Sequence, residues 1–160
     1  MVGTFGEVLL VDWGLAKVLG RNDEQEPVVT AWPHKSAHAT NLGFIYGTPA
    51  YMAPEVFRDR PYSTAADVWS LGCLLYELAC LRSPFKAAGD SLYTLFKKIS
   101  AGEYAALPSH FSSELSSLVA SMIRIDPAKR PDVKATLDAA TAALAALAAA
   151  GVGAPHDAAA

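Results

Sequence analysis

Charge is scarce in this chain. Asp, Glu, Lys and Arg make up 18% of its 160 residues and balance to a formal −3, so there is no basic footprint with which to hold nucleic acid. Cysteine is scarcer still, with two. Cys73 and Cys80 stand seven positions apart in what reads as one helix, roughly 10 Å along its axis, which is too far for a disulfide. They read as reduced thiols in a reducing compartment, the cytoplasm. His34, His38, His110 and His156 have no ligand-like spacing with those cysteines, which argues against a zinc site. No uninterrupted apolar run is long enough to cross a bilayer. Met1 is followed by glycines and one short apolar run rather than a basic start and a cleavage site, so no secretory leader is expected.

What is abundant is apolar surface. Hydrophobic residues are 52% of the chain, a figure inflated by alanine near the C-terminus, and the length suits one domain with a real core. Its densest stretch is Thr64 to Cys80, where Thr64, Asp67, Ser70 and Glu77 interrupt a surface that is otherwise apolar. A helix apolar nearly all round is expected to be buried on all sides. Ser63 or Thr64 would cap it. Asp67, near its start, either accepts hydrogen bonds from a neighbouring backbone segment or simply favours the helix dipole.

Elsewhere the pattern predicts a lopsided set of elements. Glu7–Asp12 reads as a short buried strand, closed by Asp12-Trp13-Gly14. Lys17–Asn41 turns polar and loses periodicity, which predicts a long loop. Gly47-Thr48-Pro49-Ala50-Tyr51-Met52-Ala53-Pro54-Glu55 is rich in turn formers and leads into a short helix near Pro54–Arg58. Asp90 or Ser91 would cap a helix whose stripe is Leu92, Leu95, Phe96 and Ile99, stopped by Gly102. A further amphipathic helix spans Phe111–Ile123, with Leu115, Leu118, Val119 and Met122 aligned. The last helix is expected to start near Pro131 and to pack through Leu137, Leu144 and Leu147. The expected class is therefore mainly α, with a strand or hairpin remnant at the N-terminus.

Taken together, these segments resemble the C-terminal lobe of a eukaryotic-type serine/threonine protein kinase. Asp12-Trp13-Gly14 resembles the D-F-G triplet, and Gly47–Glu55 the G-T-x-x-Y-M-A-P-E signature. Asp67-Val68-Trp69-Ser70-Leu71-Gly72 is similar to the D-V-W-S-x-G of the central helix, and Asp126-Pro127-Ala128-Lys129-Arg130-Pro131 to the turn before the last helix. The stretch from Cys73 to Leu115 is similar to the NIMA-related kinases, whereas Gly6–Lys17 looks more like bacterial-type kinases. Gly3–Val8 mimics half of a phosphate-covering loop but lacks its leading glycine, and a plain turn between strands accounts for it better.

The resemblance implies specific roles. Asp12 would hold Mg²⁺ that bridges the phosphates of ATP, and Gly14 would let that segment swing. Thr48, between Gly47 and Pro49, would help position the acceptor hydroxyl of a protein substrate. Glu55 and Arg130 would form a buried anchoring ion pair, with Asp67 a third structural anchor. Residues 17–46 would be the activation loop. There Thr30, Ser36 and Thr40 are the hydroxyls a regulatory phosphate would take, though each reads better as a plain solvated residue.

The sequence contains no H-R-D-x-x-x-x-N catalytic loop and no strand lysine of the V-A-I-K type. The expectation is a partial kinase domain over residues 1–148, beginning just before Asp12, with a disordered tail over 149–160. Alone it would bind no ATP or Mg²⁺ and transfer no phosphate. The missing N-terminal lobe or a partner protein would complete it. A non-catalytic, pseudokinase-like binding module is the alternative.

Overall fold

The computed structural model describes Val8, Leu10, Val11, Ala16, residues 20–21, 27–28, 47–58 and 60–149. Two short strands, β1 (Gly20–Arg21) and β2 (Pro27–Val28), pair antiparallel, with Gly20 opposite Val28 and Arg21 opposite Pro27. A 3₁₀ turn at Pro49–Tyr51 precedes α1 (Pro54–Phe57), α2 (Ala65–Cys80), α3 (Leu92–Ala101) and α4 (Ser113–Met122). A second 3₁₀ turn, Pro127–Lys129, leads into α5 (Val133–Ala149). The class is mainly α, as the pattern predicts.

Helix α2 is the axle. Its residues Ala66, Trp69, Cys73 and Tyr76 enter one core with Phe85, Leu95, Ile99, Val119 and Ile123. On a neighbouring face Val68 joins Leu118 and Met122, with Ala140 of α5 packed against them. The rings are ordered: Trp69 stacks on Phe85 at 5.5 Å and 3°, and Tyr104 meets both Tyr76 and Phe85 edge-on. Such offset and edge geometries suit the ring quadrupole. Gly72 permits the close approach of α4, since a Cβ there would stand 2.8 Å from Met122 Cβ.

The caps follow the local chemistry. The Ser91 side chain accepts from Thr94 N–H at the start of α3, and Ser112 accepts from Leu115 N–H at the start of α4, satisfying otherwise unpaired donors of each first turn. Gly102 ends α3 at φ 67°, a left-handed conformation that glycine takes without strain. Thr64 precedes α2 without a side-chain cap, while Ser63 Oγ accepts from Ala65 N–H.

Five expectations are corrected. First, α2 is not buried on all sides: Leu71, Leu74 and Leu78 are 50%, 45% and 67% exposed. Among the described residues its main neighbours are α4, α5 and the two 3₁₀ turns, which leave one face open. Second, α5 does not pack through leucine, because Leu137 and Leu144 are 64% and 68% exposed and Leu147 is exposed too. Thr136 is buried and Ala140 packed instead, since small side chains let α5 approach closely. Third, Pro131 lies outside α5: the Asp132 carboxylate accepts from Ala135 N–H at 2.7 Å and caps a helix starting at Val133. Fourth, Val8, Leu10 and Val11 are exposed rather than part of a buried strand, there being no second layer over them among the described residues. Fifth, the polar loop holds the β1–β2 pair, which two residues per strand are too few to announce in a sequence pattern. The expected tail over 149–160 falls outside the described residues, except that Ala149 is still helical.

Candidate functional site

The turn-rich segment 47–55 is positioned from below by α2. Gly47 takes φ 92°, a conformation that costs an L side chain strain. Thr48 follows, exposed and extended, and Pro49 opens the 3₁₀ turn, where a missing N–H is harmless. Ser70 Oγ on α2 donates to Tyr51 C=O at 2.9 Å, and Tyr51 Oη donates to Glu77 Oε2 at 2.8 Å. That bond, followed by burial, raises the Tyr51 hydroxyl pKa above its ordinary value. Ser70 and Glu77 stand seven positions apart on α2, two turns along one face, so two of the three polar interruptions within the apolar helix serve the same turn.

Glu55 and Arg130 meet as expected. Arg130 Nη1 donates to Glu55 Oε1 at 2.6 Å and Nη2 to Oε2 at 2.9 Å, a bidentate fork-to-fork pair. Both residues are buried. The remaining donors of the guanidinium are also spent: Nε on Arg124 C=O at 2.7 Å, Nη1 on Ala65 C=O at 2.8 Å, and Nη2 on Ile125 C=O at 3.3 Å. All five N–H groups of the side chain are therefore satisfied. Its Cζ also lies 5.0 Å from the Trp69 ring centre. One side chain thus ties the end of segment 47–55 to the start of α2 and to the turn before α5.

Asp67 stands apart from this network. It is in the first turn of α2 and largely exposed, and its backbone N–H donates to Thr64 C=O at 3.0 Å. Partial burial nevertheless pushes its carboxyl above the usual range. Asp12, Gly14, Thr30, Ser36 and Thr40 lie outside the described residues, so the structure brings together Gly47, Thr48, Pro49, Glu55 and Arg130 but does not place a nucleotide site. Among the described residues no three His, Cys, Asp or Glu side chains gather to hold a metal, and no helix is long and apolar enough to cross a membrane. Neither Tyr51 nor Glu77 stood out as a site residue in the sequence. The signal that marks them is the seven-residue spacing of Ser70 and Glu77 on an apolar helix.

The family model described as "Protein kinase domain" matches residues 1–140. The chain is 39% identical over 132 residues to "Probable serine/threonine-protein kinase nek3" of Dictyostelium discoideum, covering 82% of this chain and 10% of that protein. It is 40% identical over 124 residues to "Serine/threonine-protein kinase Nek3" of Oryza sativa subsp. japonica, covering 78% of this chain and 18% of the relative. It is 35% identical over 137 residues to "G2-specific protein kinase nim-1" of Neurospora crassa, covering 86% and 14%. The chain thus spans between a tenth and a fifth of the length of these relatives.

Proposed function

This chain belongs to the protein kinase domain family, and from that premise we propose that it forms the helical lobe of a serine/threonine kinase. The whole protein would transfer the γ-phosphoryl group of ATP to Ser or Thr hydroxyls of protein substrates. The observation that carries this reading is the fully satisfied Glu55–Arg130 pair, which fixes segment 47–55 on the helical body while Thr48 stays exposed. Phosphoryl transfer depends on positioning and charge neutralisation, and a rigidly anchored segment supplies the positioning. Gly47 would shape the turn, Thr48 would orient the acceptor hydroxyl, and Pro49 would hold the threonine's neighbour fixed.

The nucleotide chemistry lies with groups this sequence does not contain, the catalytic-loop base and the phosphate-binding lysine among them, and with Asp12 as the expected Mg²⁺ ligand. On this reading residues 1–148 are part of a kinase domain. The open face of α2, from Asp67 through Leu71, Leu74 and Leu78, is where the rest of that domain would lie. The chain by itself is expected to bind no Mg·ATP. Titration calorimetry checks this, and measurable binding heat would overturn it.

The family activity is tested by exchange. Residues 1–140 would replace the matching segment of the rice Nek3 kinase, and phosphorylation of a generic protein substrate would be measured. Retained transfer that falls at least tenfold on Thr48→Ala supports the reading, and a folded but inactive hybrid counts against it. The two unpaired thiols, Cys73 and Cys80, are consistent with a cytoplasmic setting. A folded hybrid without transfer would favour the second reading, a non-catalytic binding module.

A further inference from the structure

Between the end of α3 and the flank of α4 the chain leaves a space. Gly102, at φ 67°, turns the backbone out of α3. Tyr104 and Leu107 then stand against Ser116, Ser117, Val119 and Ala120 of α4 around a half-open cavity of about 430 Å³. The sequence explains why nothing fills it: Ser116 and Ser117 each neighbour Ala120 on the helix surface, at i+4 and i+3, and all three side chains are small. Val119, 1% exposed, is the most deeply buried of the lining residues. The Tyr104 ring is fixed in the wall by edge-on contacts with Tyr76 at 5.5 Å and Phe85 at 5.6 Å. The cavity is therefore preformed, and its volume falls in the range of small-molecule sites, about 300–1,000 Å³.

The lining carries no charged side chain, so an ion entering it would lose water without gaining a partner. Two hydroxyls, by contrast, are available. Ser116 Oγ donates to Ser112 C=O at 3.0 Å, but Ser117 Oγ and Tyr104 Oη hydrogen-bond nothing among the described residues. Burial above all raises the Tyr104 hydroxyl pKa, so at neutral pH that group is a donor. Apolar surface here is confined to the cavity: between Tyr93 and Val133 no large hydrophobic side chain is exposed. A stable protein interface needs a wider patch, about 1,000 Å² with an apolar centre, so the place suits a small molecule instead.

We propose that this cavity is a binding site for a small uncharged ring compound bearing one hydroxyl, such as a phenol. Its ring packs on Leu107 and Val119, its oxygen accepts from Tyr104 Oη, and its O–H donates to Ser117 Oγ. No lining residue belongs to the turn at Gly47–Pro49 or to the Glu55–Arg130 pair, so the inference stands whether or not that turn serves phosphoryl transfer.

The test is equilibrium dialysis of the full chain with p-cresol, and saturable binding is expected with a Kd of about 1 mM or tighter. Ala120→Phe, which fills the cavity from an exposed helix position, is expected to weaken binding by about tenfold or more. Tyr104→Phe keeps the ring and removes the hydroxyl, and is expected to weaken it by about threefold or more. Circular dichroism confirms that both variants keep their helices. The acid 4-methylbenzoate places a charge on the same ring, needs no protein variant, and is expected to bind about tenfold more weakly or worse. No saturable binding by the unaltered chain, unchanged affinity in either variant, or equal binding of 4-methylbenzoate would overturn the proposal. Binding lost in Leu71→Lys/Leu78→Lys but kept in Ala120→Phe would put the phenol on the open face of α2 and overturn it too. So would tighter binding of a glycine-flanked tyrosine peptide than of p-cresol, which would make a protein side chain the occupant.

Discussion

Arg130 shows how a single residue can be committed to one arrangement. A buried guanidinium is tolerable only when every donor is met, and this one meets Glu55 twice and three backbone carbonyls once each. Arg130→Met, which leaves the Glu55 carboxylate buried without its partner, is expected to cost about 3–5 kcal/mol. Adding Glu55→Gln should restore part of that loss, because the orphaned charge is gone; equilibrium urea unfolding of both variants checks it. At the same scale, burial pushes the Cys73 thiol from 9.0 up to about 12, and burial likewise raises Tyr62, Tyr76 and Tyr104. With each acid pKa higher folded than unfolded, the native state binds more protons in alkali. The stabilisation is complete below pH 9 and is lost as pH climbs toward 12, at up to about 1.4 kcal/mol per pH unit for the thiol alone. Thermal midpoints taken across that range should fall, and Cys73→Ala should flatten the slope.

Among the elements, α2 and α4 meet at a position where the usual sign of a substitution reverses. In an exposed helix, replacing glycine by alanine stabilises by about 1 kcal/mol. At Gly72 the new Cβ would stand 2.8 Å from Met122 Cβ and 3.0 Å from Ile123 Cγ1, so the helices must move apart. Gly72→Ala is expected to destabilise by about 1–3 kcal/mol, with a lower denaturation midpoint; a gain in stability would show that α4 yields. The amphipathic stripe of α4 was legible because Leu118, Val119 and Met122 repeat at helical spacing and are buried. Helix α5 was not, because alanine and threonine carry no such signal, and the conspicuous Leu137 and Leu144 point outward. A helix made of small residues gives no sequence indication of which side another helix will approach.

For the molecule as a whole, the open face of α2 governs behaviour in solution. Leu71, Leu74 and Leu78 align with Leu81, itself at φ 54° beyond the helix end. An apolar strip of this kind promotes association. The isolated chain is expected to self-associate and to bind a hydrophobic dye. Leu71→Lys/Leu78→Lys should make it monomeric in sedimentation velocity while changing stability by no more than about 0.5 kcal/mol per site. Unchanged association in that variant would place the sticky surface elsewhere, on α5 or α3.

The sequence by itself determined the helical class, the buried Leu95 and Ile99 of α3 though not Leu92 of the same expected stripe, which is 46% exposed, the buried stripe of α4, and the pairing of Glu55 with Arg130. Local periodicity set all but the last, which was implied by matching motifs 75 positions apart. Only the tertiary structure decided which side of α2 stays open, that α5 packs through Thr136 and Ala140, and that Ser70 and Glu77 both serve Tyr51. Those outcomes depend on which elements arrive as neighbours and how closely their backbones approach. One-dimensional spacing shows which side chains share a face, but only the assembled neighbours determine whether that face is covered.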